Sequence, residues 1–217
     1  MLSTLQTRFE ILEAQRARLQ ARFASVEPNF WVSHPEQAGW SLSAGLSSLL
    51  LRRMLGVSLP VQKAWSLSEI AHHLVLGERE VLKQLRSQNN IPNLRRSLRD
   101  RLGAATVGMA FRYGFRVRTP MQSVIPRNGL SYEEISAAWD ETRADLAAYL
   151  SEVAEASYDQ LVFRHPVAGW MNIEQTLDLI GQHITHHTRQ VERTEISLGI
   201  KSRGGENHKD TKSTKIR

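Results

Sequence analysis

Apolar residues recur every three or four positions in four separate stretches of the chain. In the first, Leu2, Leu5, Phe9, Leu12, Leu19 and Phe23 fall on one helical register that only Arg16 interrupts, predicting a helix over 2–23. The second opens at Trp65-Ser-Leu-Ser-Glu69, where Ser66 and Glu69 form a capping-box pattern and Trp65 and Ile70 stand at staple positions. Its apolar face continues through Leu74, Val81 and Leu85. The third begins with the Ser131/Glu134 pair and carries Ile135, Trp139, Leu146, Leu150 and Val153. The fourth begins with Asn172 and Gln175 and carries Ile173, Leu177, Ile180, Ile184 and Val191. Strand-like alternation is scarce: 115–119 and 123–125 offer short extended pieces, and Pro120 and Pro126 suit a connecting loop better. Four long amphipathic helices of similar length predict an all-α four-helix bundle.

Between the first two helices lies a long extra segment, 31–64. Within it Trp40-Ser-Leu-Ser-Ala-Gly-Leu-Ser-Ser echoes Trp65-Ser-Leu-Ser-Glu-Ile-Ala-His-His, with Ser47 and Ser48 where His72 and His73 stand in the second copy. The echo predicts a short additional helix. Residues 201–217, rich in Lys, Thr, Ser and Gly, read as a disordered tail beyond a single helical domain over 1–200.

Charge and composition narrow the function classes. Of the net +6, the tail accounts for most, with six Lys/Arg against Glu206 and Asp210, so the high charge is weak evidence for a nucleic-acid partner. Within the domain, Arg95, Arg96, Arg99, Arg101, Arg112, Arg116 and Arg118 are interleaved with Phe111, Tyr113 and Phe115. No nucleic-acid motif accompanies them, so a solvated basic face is the default and an anion- or nucleic-acid-interacting module the remote alternative. The absence of cysteine excludes disulfides, thiolate ligands and a cysteine nucleophile. Glu10, Glu13 and several arginines occupy the stretch where a signal peptide needs an apolar run, and nowhere do 18 apolar residues run together. A soluble, cytoplasmic protein without a membrane partner is expected.

Five of the eight histidines fall on two predicted helices. His73 lies on the Ile70–Leu74–Gly77–Val81 stripe, while His72 projects about 100° away, toward solvent. His187 falls close to the fourth helix's stripe, His183 sits on its edge, and His186 points further round, away from the core. His183 and His187, four apart, share one face and can reach a single ion, and a third imidazole from another helix leaves positions for water or substrate. A lone histidine at a helix edge is more often solvated, but three near apolar stripes each require a hydrogen-bond partner. The glutamate of the metalloprotease His-Glu-x-x-His motif is missing. Neutral imidazole suits Zn, Ni, Fe or Cu. Around the trio, Gln190 is placed to orient a ligand or bound water, and Glu78 is the nearest candidate base. His165, ahead of Pro166 in a turn, suits a structural role better than a fourth ligand. Arg16 is expected to lay its stem on the apolar face and carry its charge to water.

At these residues the sequence resembles a known family. Trp65-Ser-Leu-Ser-Glu-Ile-Ala-His-His-Leu is similar to the second helix of the DinB-like superfamily. His165-Pro-Val-Ala-Gly169, followed by His183-Ile-Thr-His-His187-Thr-Arg-Gln190, resembles its fourth helix and the turn before it. The likeness runs over about 65–195. It implies a four-helix bundle with one divalent ion (Zn, Ni, Fe or Mn) on the residues matching His73, His183 and His187. It further implies a metal-dependent enzyme, either a hydrolase or a thiol S-transferase acting with a low-molecular-weight thiol. A homodimer is expected, as in several relatives. The alternative is a non-catalytic metal-binding stress-response protein. The segment 30–64 is longer than the family usually has, and the basic tail is additional.

Overall fold

The structure, a computed structural model, describes residues 4–35, 64–87, 96–113 and 121–200. Helix α1 (Thr4–Ala24) is followed by the single turn α2 (Pro28–Trp31), which Pro28 initiates without needing a free N–H. Helices α3 (Leu67–Ser87) and α4 (Leu98–Tyr113) come next, then α5 (Tyr132–Glu152), strands β1 (Leu161–His165) and β2 (Gly169–Asn172), and α6 (Ile173–Ser197). Helices α1 and α3 each pack along both α5 and α6, and these four form the bundle.

The predicted stripes are the ones that face inward. Leu5, Leu12, Leu19 and Phe23 of α1 are buried, with Ile70, Leu74, Val81 and Leu85 of α3, Ile135, Trp139 and Leu146 of α5, and all five named positions of α6. Ser66/Glu69, Ser131/Glu134 and Asn172/Gln175 each make the reciprocal bonds of a capping box, so the helices start where their sequences say. Arg16 does not simply carry its charge to water: it ion-pairs with Asp140 of α5 and, at 2.6 Å, with Glu13.

Two features depart from the sequence reading. Helix α4 is a fifth long helix, packed on α6 and β2. Its own pattern is poorly amphipathic: Leu98, Leu102 and Met109 are exposed, and among its described side chains only Val107 is buried. A Ser97/Asp100 capping box marks its start. The second departure is the antiparallel hairpin β1–β2, where Phe163 pairs with Met171 and His165 with Gly169. Gly169 has φ +73, which only glycine adopts without strain, and the Nδ1 of His165 accepts from the N–H groups of Val167 and Ala168 at 3.1 and 2.9 Å. At 123–125 a 3-10 turn (Gln122–Val124) stands in the connecting segment, in keeping with the loop that the flanking prolines favour. The helix expected near Trp40, the piece at 115–119 and the tail 201–217 lie outside the described residues. Among the described residues no helix is long and apolar enough to cross a membrane.

Candidate metal centre

His73 is on the inward stripe of α3, and His183 and His187 are one turn apart on α6, where α3 and α6 pack together. One ring nitrogen from each lies within 4.8 Å of the other two. The Nε2 of His183 is 3.2 Å from that of His73 and 3.0 Å from that of His187. His73 and His187 are buried, and His183 is half-buried.

The opposite edges of two rings decide what these nitrogens can do. The Nδ1 of His73 is 2.7 Å from the carbonyl oxygen of Val124, an acceptor only, so this nitrogen carries the proton and donates. The Nδ1 of His187 is likewise 2.8 Å from Oε1 of Gln190 and donates to it. Both rings therefore present Nε2 as a bare lone pair toward the same point. Burial lowers the His73 pKa to about 4. Burial, and then the neighbouring imidazoles, hold His183 and His187 well below the ordinary histidine value. All three are neutral at pH 7, the form that ligates metals. Nitrogens about 2.0–2.1 Å from one ion lie roughly 3 Å apart, the separation of His183 Nε2 from each of the other two, so the donor set fits a divalent cation.

The model of the DinB superfamily matches residues 11–191. The chain belongs to the DinB superfamily. No curated protein and no solved structure gives a significant match.

The other sequence candidates in this DinB protein divide. Gln190 is in place on His187. Glu78 is not at the histidine cluster: it is buried against α5, where Arg143, itself buried, donates to it at 2.7 Å. The carboxylate is committed to that ion pair. His165 closes the hairpin turn. His72 is half-buried rather than turned to solvent, its Nδ1 accepting from the Arg127 N–H at 3.0 Å. His186, expected to point away from the core, is only 9% exposed, because Phe111 of α4 covers it with ring centroids 5.3 Å apart.

Several contributors escaped the sequence reading. Trp65 lies against His73 at 4.7 Å between centroids and stacks on His187 at 6.2 Å. Phe111 covers His183 at 5.7 Å. Val124 contributes only a carbonyl, so no side-chain signal could have revealed it. Gly77, one turn after His73, makes room for the third ring: a Cβ there would meet Cε1 of His183 at 3.3 Å. A glycine inside a helix stripe was the available signal for that close approach.

Proposed function

We propose that His73, His183 and His187 hold one divalent metal ion through Nε2, and that the protein is a metal-dependent enzyme acting on a small molecule. The observation that carries the proposal is the fixed orientation of two rings, whose Nδ1 protons are taken up by Val124 and Gln190 so that bare Nε2 atoms converge with His183. Neutral rings held this way offer lone pairs to a cation without a proton first having to leave. With three protein ligands, an ion keeps positions open and supplies Lewis acidity to a substrate oxygen or sulfur.

The chain's own groups do the remaining work. Trp65 and Phe111 wall the centre with apolar surface, which excludes water and strengthens electrostatic interactions inside. The commitment of Glu78 to Arg143 removes the sequence's candidate base from that duty, which favours thiol-dependent transfer over hydrolysis. A thiol needs less help than water to reach its nucleophilic form. A homodimer and a low-molecular-weight thiol partner are part of this reading.

The test is cobalt(II) reconstitution followed by the visible spectrum, with 2-mercaptoethanol or acetohydroxamate added. New bands on addition show that ligands reach an open position. A cobalt spectrum that neither compound alters would mean a closed coordination sphere, and the ion would then be a staple between α3 and α6.

A further inference from the structure

We infer that the groove bounded by α1, α4 and α6 receives the apolar body of the substrate, whose reacting group reaches the histidine centre past Phe111. The inference rests on the metal-dependent reading above and adds a substrate class to it: a molecule with an uncharged, apolar body and one metal-seeking head.

The groove has a volume of about 690 Å³, in the range of small-molecule sites. Its floor includes Leu12 and Leu177, both buried, and its walls carry Ile11 and Met109, which are 54% and 53% exposed. Large apolar side chains facing one open groove are what an apolar ligand would cover. Two arginines line the groove, and both are engaged within the protein: Arg8 pairs with Asp178 and Glu174, and Arg189 donates to the carbonyl oxygen of Phe111 at 3.3 Å. Phe111 links the groove to the site: it lines the groove and also packs on His183, which is half-buried.

Gly108 is the most telling residue. It stands inside α4, where glycine weakens a helix, and it lines the groove. At the other glycines of the described helix interiors, contact explains the residue. At Gly103 a Cβ would collide with the carbonyl of Val167, and at Gly181 it would press on Leu12 at 3.3 Å. At Gly108 a Cβ would meet nothing closer than Oε1 of Gln182 at 3.9 Å. Packing does not require this glycine. A larger side chain there would project into the groove.

The experiment titrates cobalt(II)-loaded full-length protein with straight-chain alkyl hydroxamates of two to eight carbons, reading the visible spectrum. Affinity should rise with chain length, by up to about fourfold per methylene buried. In Gly108→Leu the gain with length should disappear while acetohydroxamate binds as before. Wild-type affinity independent of chain length, or a length dependence that Gly108→Leu leaves intact, overturns the inference without touching the metal site. A second measurement uses the metal-free protein and the fluorescent dye 1-anilinonaphthalene-8-sulfonate. Dye binding lost in Gly108→Leu, with an unchanged helical circular-dichroism spectrum, supports the groove as an apolar site; equal binding to both proteins overturns it. Failure to take up cobalt would sink the metal reading and the route past Phe111 together, and the dye would still decide the groove.

Discussion

Gln190 reaches the centre through His187 alone, and that makes its role separable from ligation. Its Oε1 accepts from Nδ1 of His187 at 2.8 Å, which fixes the ring's tautomer and aim. Gln190→Leu should weaken metal binding by about tenfold to a hundredfold, and Gln190→Glu should restore it. Competition with a chelating dye measures both, and an unchanged affinity in the leucine variant would show that the ring needs no such support. Gly77 gives a sharper case. Alanine there should stabilise the metal-free chain by up to about 1 kcal/mol through helix propensity. The same methyl presses on His183 at 3.3 Å, so metal affinity should fall while the melting temperature rises. At this scale the histidine cluster was legible, because helical spacing alone separates His73, His183 and His187 from His72. The environment of His186 was not, because what buries it is Phe111 from another helix.

Capping made the elements readable. Three capping boxes and three apolar stripes located α3, α5 and α6, and a stripe alone located α1. Helix α4 also carries a capping box, at Ser97/Asp100, but its described side chains show no continuous buried stripe where it packs on α6 and β2. The hairpin was half legible: the His165-to-Gly169 turn stood out, while strands of five and four residues are too short to show alternation. Least expected was the charged pair inside the bundle. Glu78 of α3 and Arg143 of α5 are 3% and 2% exposed, and burial raises the Glu78 pKa above its ordinary value of 4.5. Arg143→Met leaves that carboxylate buried without its partner and should cost about 3–5 kcal/mol at pH 7. A raised native pKa means that the folded chain holds the proton more tightly, so stability is kept below pH 4.5 and lost as pH rises through the native value. The deficit of the variant should therefore shrink as the pH is lowered toward 4.5, which urea unfolding at several pH values would reveal. A deficit independent of pH would contradict the account of Glu78.

On the scale of the whole molecule, the fold and the site meet in one titration. The three histidines are neutral and have lowered pKa values, so the unfolded chain binds more protons than the folded one below the ordinary value of 6.5. The stability of the metal-free protein should hold above pH 6.5 and fall as the pH drops toward 4. Replacing all three with glutamine should flatten that decline in thermal unfolding, and a decline of the same steepness would place its source elsewhere. The bundle itself could be foreseen, because its hydrophobic periodicity is local to each helix. Helix α4 and its groove could not, because they arise from how separate segments pack. The central claim is that three imidazoles hold one ion, and metal content per chain by plasma mass spectrometry tests it most directly. The account predicts close to one divalent ion in the wild type, lost in His73→Ala, His183→Ala and His187→Ala and retained in His72→Ala and His186→Ala. A wild-type chain that takes up no metal after reconstitution with Zn, Ni, Mn or Fe(II), or one whose metal survives loss of all three histidines, would contradict it.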